Sequence, residues 1–343
     1  MRITIPSRIG FGTAPLGNMY RDIPEEEAIA TVQAAWDSGI RYFDGAPLYG
    51  AGLAELRLGQ ALAGYPRGEY VLGTKVGRLI LDEAESTTAR DLGEKGGLFE
   101  HGLPNRIVYD YSADGTLRSI EDSLKRLRTN YLDYVWIHDP AVDFHGDAWR
   151  NVFDTAMTGA ARVLTRLREE GVIKGWGLGV NRIEPCELAL DRADPDGFLL
   201  AGRYTLLDHA NALEKLMPAA QQRGLGIIVG GPYNSGVLAG GSHYEYQKAS
   251  QAMLDRVAQI KAICARFGVD IRAAALAFPL AHGAVAGVIP GASRPARIGE
   301  NRALANSPIP AELWAELKSA GVISANAPTP AERNREGNEY GKR

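Results

Sequence analysis

Apolar residues recur along the chain in two alternating rhythms. Short runs of strand character fall at 9–13, 42–45, 70–76, 134–138, 173–180, 198–203, 225–230 and 285–290. Between them lie longer segments with the spacing of amphipathic helices: EEEAIATVQAAWDSG, GLAELRLGQALAG, DGTLRSIEDSLKRLRTN, WRNVFDTAMTGAARVLTRLREEG, PCELALDRA, NALEKLMPAAQQRG, residues 246–267, IRAAALAFPLAH and ARIGENRALANS. The first begins with three acids and is followed by Gly39, as helix ends favour. Strand followed by helix, eight times over, predicts an α/β chain folded as a closed (β/α)8 TIM barrel. An open doubly wound sheet would demand G-x-G-x-x-G after its first strand. The two glycine-rich candidates, GFGTAPLG at 10–17 and GWGLGV at 175–180, lack that spacing. The pattern is therefore one barrel domain over 1–343, with a polar tail from about 326 that is either disordered or folded across the surface. The long polar connection at 77–112 follows the third strand, where barrels shape their substrate pockets.

Charge and composition narrow the partners. A formal net charge of −3 without a Lys/Arg cluster gives no electrostatic reason to expect nucleic acid or an anionic membrane. Cys186 and Cys264 are the only cysteines, which excludes a disulfide framework and a cysteine-based zinc site. The start, MRITIPSRIGFGT, has no basic-then-apolar leader, and no run of 18 apolar residues occurs. A cytoplasmic protein acting on a small molecule is expected; the oligomeric state is left open.

In a barrel, the C-terminal strand ends face one pocket, and three of them carry Asp44, Lys75 and His138, with Tyr49 on the second loop. Each has an ordinary structural alternative: a turn cap, a rim charge, a core imidazole, a packed ring. Together they suggest chemistry. Tyrosine ionises near pH 10, and bringing it to neutrality requires roughly 4 kcal/mol. One ammonium about 4 Å away supplies on the order of 4 kcal/mol at an effective dielectric of about 20. Lys75 would thus lower the Tyr49 phenol, Asp44 would hold the lysine, and neutral His138 would donate a hydrogen bond to the reacting oxygen. HDPAVDFH, with His138, Asp139, Asp143 and His145, lacks an ordered ligand period, so no metal is expected. A strand lysine could alternatively form a Schiff base, as in barrel aldolases.

The segments that carry these residues, FDGAPLYG, VLGTKVG and DGTLRSIEDSLKRLRTNYLDYVWIHDP, resemble the aldo-keto reductases. GFGTAPLGN, GVIKGWGLGVN and VIPGASRPARIGENRA extend the resemblance over nearly the whole chain. GTAPLGN, DYSADGTLRSIEDSL and VGGPYNSGVLAGG look like the branch of aldose 1-dehydrogenases acting on L-fucose or D-threo-aldoses, to which pyridoxal 4-dehydrogenase is related.

That resemblance implies a nicotinamide cofactor, NAD or NADP, extended across the barrel mouth. Its carboxamide would meet Asn181, and the first loop would contribute Gly12 and Thr13. The family's glutamine falls at Ala201 and its stacking aromatic at Gly230 or Gly231, which leaves Tyr233 as a candidate for the ring. The pyrophosphate would lie on the loop of Asn234, Ser235, Gly236 and Leu238, and the adenosine half on Ala292, Ser293, Arg294, Arg297, Glu300 and Asn301. Gly291 stands where a cation often reads a 2′-phosphate, which leans toward NAD, while Arg294 keeps NADP open. The implied reaction is oxidation of the anomeric hydroxyl of an aldose to a lactone. Asn18, Met19, Tyr20 and Asp139 are the candidate substrate contacts. Oxidation of pyridoxal, general carbonyl reduction, and a regulatory subunit that binds the cofactor are the alternatives.

Overall fold

The computed structural model describes residues 1–87 and 97–330. Eight parallel strands pair in the order β1 (Phe11–Gly12), β2 (Tyr42–Asp44), β3 (Val71–Val76), β6 (Tyr134–His138), β7 (Gly175–Val180), β8 (Gly197–Ala201), β9 (Gly226–Gly230) and β12 (Val285–Ile289). Parallel bridges Ile9↔Val288 and Gly12↔Gly291 join the first strand to the last and close the barrel. All eight coincide with the expected runs, because a strand buried on both faces must be apolar along its length.

Packing divides at the strand walls. Inside, Ile3, Tyr42, Tyr134, Trp136, Leu199, Ile228 and Ile289 form the barrel's own core. Outside, the helices bury a larger cluster that includes Phe43, Val135, Trp176, Phe198 and Ile227. β7 turns three glycines inward: a Cβ on Gly179 would sit 3.2 Å from Trp136 Cβ and 3.4 Å from Lys75 Cε. GWGLGV is thus a small-residue wall that admits a tryptophan and a lysine to the barrel interior.

Four local features depart from the sequence pattern. The connection at 77–112 contains an antiparallel pair, β4 (Arg78–Ala84) with β5 (Asn105–Tyr109). Residues 246–250 are not helical: β10 (His243–Tyr244) and β11 (Gln247–Lys248) make a hairpin, and the helix begins at Gln251 behind the Ser250 cap. The segment at 149–171 breaks into Trp149–Thr158 and Ala160–Glu169 at Gly159, where a Cβ would fall 2.5 Å from Tyr111 O. The helix after β8 opens with a π turn, Ala212–Leu216, ahead of Pro218, whose missing N–H cannot continue an α ladder. A further helix, Ala311–Ser319, packs Leu313, Trp314 and Leu317 against Phe278 and Ile260. Of the polar tail, Ala327 and Thr329 are buried and fold onto this surface, and residues from 331 onward lie outside the described residues. Among the described residues no helix is long and apolar enough to cross a membrane.

The inward glycines generate a prediction. A Cβ on Gly177 would stand 1.8 Å from Gly197 O, which is backbone and cannot yield as a side chain would. Gly177→Ala is expected to cost at least about 2 kcal/mol in urea unfolding; an unchanged midpoint would show that β7 and β8 can separate freely.

Candidate active site

Asp44 ends β2, paired in register with Gly12 on one side and Gly73 on the other. Its carbonyl accepts from Thr13 twice, from N at 3.0 Å and Oγ1 at 2.8 Å. Its carboxylate accepts from Lys75 Nζ and, at 3.3 Å, from the Tyr42 hydroxyl. Lys75 also donates to Gly45 O at 2.8 Å, and the whole pair is buried. Burial pushes the Asp44 carboxyl above its ordinary range against the opposing lysine charge. A lysine so engaged is poorly placed to attack a carbonyl, which weighs against the Schiff-base alternative.

Tyr49 reaches the same spot from the loop between β2 and the helix Leu53–Leu62. That loop lies tight on the first one: a Cβ on Gly17 would be 2.4 Å from the Tyr49 carbonyl carbon. Lys75 Nζ sits 4.8 Å from the Tyr49 ring centre, and the His138 ring meets Tyr49 edge-on at 5.9 Å and 88°. The phenol differs from expectation. Burial, then the Asp44 and Asp139 charges, hold it well above its usual value, with only Arg78 opposing. The reason is that Lys75 is neutralised by Asp44, so the pair presents a dipole to Tyr49 rather than a free cation. In this state Tyr49 is a neutral proton donor.

His138 closes β6. Burial and the charges of Arg78 and Lys75 hold its imidazole well below the usual range, so it is neutral. Nε2 lies 3.2 Å from Asp139 Oδ2, and Nδ1 has no hydrogen-bond partner among the described residues. Arg78, fully buried at the start of β4, donates to His138 O at 3.3 Å and Asp139 Oδ2 at 3.2 Å. The Tyr111 hydroxyl donates to His138 O at 2.7 Å. Sequence reasoning missed Arg78 and Tyr111; the available signal was an arginine three residues after Lys75 in TKVGR, placed where only buried acceptors could satisfy it.

These groups open onto one long cleft. Of the expected cofactor residues, Gly12, Asn181, Tyr233, Ser235, Gly236, Gly291, Ala292, Ser293, Arg297 and Asn301 line it. Met19, Tyr20 and Asp139 line the end near Tyr49. The other candidates do not line this cleft. Thr13 is buried against Asp44, and Asn18 accepts from Arg57 Nη1 at 2.7 Å and from Ile23 N at 3.1 Å, bracing its own loop. Asn234 donates to Gly202 O, Leu238 is in the core, Arg294 precedes the helix Pro295–Ala305, and Glu300 binds Arg297 and Arg272 from behind. Unanticipated in the sequence are Leu48, Leu98, Phe99 and Phe144, which form an apolar wall beside Tyr49, and Tyr246 from the β10–β11 hairpin.

The strip fits an extended dinucleotide. Gly231 and Gly236 have φ of 54° and 97° and open space where a Cβ would be, so backbone lies bare to the cleft. Ser293 lies beside the positive end of an 11-residue helix, a natural place for an anionic group. Tyr233 is not free to swing, since its hydroxyl donates to Asn301 Oδ1 at 2.8 Å.

Comparison with known proteins agrees with this geometry. A model of the aldo/keto reductase family matches residues 8–321. Pyridoxal 4-dehydrogenase of Microbacterium luteolum is 41% identical over 326 residues, covering 92% of this chain and 94% of that protein. D-threo-aldose 1-dehydrogenase of a Pseudomonas species is 38% identical over 334 residues, covering 96% of each. The holo form of an aldo-keto reductase from Bacillus halodurans superposes with a TM-score of 0.69 at 24% identity, over 96% of this chain and 98% of that one.

The buried pair makes a prediction about pH. Lys75→Met leaves the Asp44 carboxylate alone in the core, at an expected cost of about 3–5 kcal/mol. The folded-state carboxyl is raised, so the folded form binds a proton more readily than the unfolded one, and stability falls as pH rises. Urea unfolding should therefore show the loss greatest at alkaline pH and eased on acidification. Asp44→Asn with Lys75→Met should recover most of it, and a loss independent of pH would rule out the lone carboxylate as its cause.

Proposed function

Because the chain belongs to the aldo/keto reductase family and is an NAD(P)-dependent oxidoreductase, we propose that it oxidises the ring hydroxyl of a cyclic hemiacetal to a lactone. The observation that carries this reading is the edge-on approach of Tyr49 and His138, 5.9 Å apart, at one end of the cleft that continues to Asn181 and Ser293. When bound, the nicotinamide supplies the hydride acceptor. His138 donates a hydrogen bond to the hydroxyl oxygen and fixes the hemiacetal carbon over the cleft. Tyr49, as the phenolate, takes the hydroxyl proton as the C–H bond breaks and the C=O bond forms, and Lys75 offsets the charge that the phenolate carries before that transfer. Asp44 keeps that lysine aimed. Run backwards, neutral Tyr49 protonates a carbonyl oxygen.

The body of the substrate is inferred from the two sides of the cleft. Asp139, Asn181 and Tyr246 offer polar partners, as the hydroxyls of a free aldose require, and the D-threo-aldose relative supports a sugar. The wall of Leu48, Leu98, Phe99 and Phe144 favours a second reading, pyridoxal, whose hemiacetal is fused to a flat aromatic ring. Both share the hemiacetal chemistry. For the cofactor, Glu300 draws Arg297 at 2.9 Å and Arg272 at 3.1 Å, so two of the cations at the adenosine end are already paired; with Gly291 in the loop, NAD is favoured, and Arg294 is the cation left to meet a 2′-phosphate.

Reduced nicotinamide formation should be followed with NAD and NADP in parallel against L-fucose, D-arabinose, L-galactose, D-glucose and pyridoxal. Activity on one sugar configuration establishes the aldose reading; activity on pyridoxal alone moves the substrate to the aromatic hemiacetal; silence on all of them overturns the proposal. Tyr49→Phe is expected to bind cofactor normally and to lose about 10²–10⁴ in kcat, and an undiminished rate would remove Tyr49 from the chemistry. Because the phenol is held above its usual value, oxidation by the active chain should quicken as pH rises through the alkaline range. Glu300→Gln should shift the kcat/KM ratio toward NADP by roughly two- to fivefold, the size of a partly exposed charge interaction.

A further inference from the structure

Asp139 stands between the two halves of the cleft. Its Oδ2 lies 3.2 Å from His138 Nε2 and accepts from Arg78 Nη2, while its Oδ1 accepts from Asn181 Nδ2 at 3.4 Å. The residue is buried and sits at φ 51°, a left-handed conformation that aspartate and asparagine tolerate better than most. Its backbone is tied on both sides, N to Gly179 O at 3.0 Å and O to Ala141 N at 2.8 Å. One strained residue thus reaches the imidazole that meets the reacting oxygen and the amide placed for the cofactor.

We infer that Asp139 is a positioning residue that sets the tautomer of His138 and the orientation of the Asn181 amide with a single carboxylate. The inference rests on the reaction proposed above. A carboxylate oxygen 3.2 Å from Nε2 favours the proton on that nitrogen, and the Nε2–H is then shared with the reacting oxygen when it enters the cleft. At Asn181, Oδ1 accepts from the Tyr246 hydroxyl at 3.3 Å while Nδ2 faces Asp139, so the two ends of the amide are assigned. One N–H of the amide remains to meet a carboxamide.

The charge around Asp139 gives the inference a pH signature. Burial pushes its carboxyl up to about 7, with Asp143 adding to the rise and Arg78 and Lys75 opposing it. Neutral His138 and the phenols of Tyr49, Tyr111 and Tyr246 complete its surroundings. Above that pH the carboxylate accepts; below it, the acid cannot accept on both sides. In the reductive direction Tyr49 acts in its neutral form, so an acid limb there belongs to Asp139 rather than to Tyr49.

The test uses the full chain with NADH or NADPH, whichever quenches protein fluorescence, and 4-nitrobenzaldehyde as a carbonyl probe. Wild-type reductive kcat should fall as pH drops through about 7. Asp139→Asn, which keeps the size and the tolerance of φ 51°, should lower kcat at pH 8 by roughly 10- to 100-fold, the scale of a misplaced reacting group. It should abolish the acid limb and move the probe's KM by less than about twofold, as a loss confined to the transition state does. Added to His138→Gln, it should cost less than about threefold more, because the two act as a unit. An unchanged kcat and pH profile in Asp139→Asn, or losses that multiply, would overturn the inference. A wild-type chain that neither binds reduced nicotinamide nor turns over would instead overturn the reaction on which it rests. Should the variant fail to fold, the ¹⁵N shifts of His138 in the wild type decide the matter: an Nε2–H tautomer supports Asp139, and Nδ1–H refutes it.

Discussion

The buried ion pair of Lys75 and Asp44 is the constraint around which the barrel mouth is arranged. Two charges withdrawn from water are tolerated only if their remaining donors and acceptors are met. Here the lysine has Gly45 O, and the carboxylate has the Tyr42 hydroxyl. Satisfying them fixes the register of β1, β2 and β3 and forbids a side chain on Gly73, whose Cβ would lie 2.9 Å from the Tyr42 hydroxyl and 3.2 Å from Asp44 Oδ1. The same demand accounts for Gly179 across the barrel, where the lysine stem needs room. A polar pair in the core thereby dictates where glycine must stand, on β3 beside the lysine and on β7 across the barrel.

Support for Tyr49 comes from outside the barrel. Glu55, fully buried, accepts from Thr74 Oγ1 at 2.5 Å on β3 and from Arg126 Nε at 2.7 Å on the helix Ala113–Arg126. It ties the helix after the Tyr49 loop to the strand that carries Lys75. Arg57, two residues on, donates to Leu16 O and Ile23 O and so binds the first loop to the same helix. The tyrosine and the lysine are therefore held by a common brace, and their spacing does not depend on the contact between them.

What the sequence disclosed follows from this arrangement. The strands were legible because burial on both faces leaves an apolar run, and Asp44, Lys75 and His138 stood out because each breaks such a run at its end. The β4–β5 pair and the β10–β11 hairpin were not legible, since short strands on the surface have mixed composition and owe their shape to tertiary contacts. Asn18 was misleading for a related reason: a polar loop residue near a pocket can face the pocket or brace the loop, and only the position of Arg57 decides. The direction of the Tyr49 proton affinity was hidden because it is set first by burial and then by the charges of Asp44 and Asp139, which only the folded chain brings to the phenol.

The roof of the cleft shows how such distant contacts act together. The hairpin turns on Glu245 and Tyr246, both at positive φ, 50° and 66°, where asparagine and glycine are usual. Each such residue costs on the order of 1–2 kcal/mol, so other contacts must hold the turn. Glu245 pairs with buried Arg203, whose Nε donates to Asn181 O at 2.7 Å. Tyr246 N donates to Ser235 Oγ at 2.9 Å, and its hydroxyl meets the Asn181 amide. Asn181 is consequently gripped through its carbonyl by the arginine that anchors the turn and through its side chain by the turn itself. Any displacement of the roof must disturb Asn181, and a change at Asn181 must be felt at the roof. Asn181 and the hairpin are one mechanical unit, joined across 65 residues of chain.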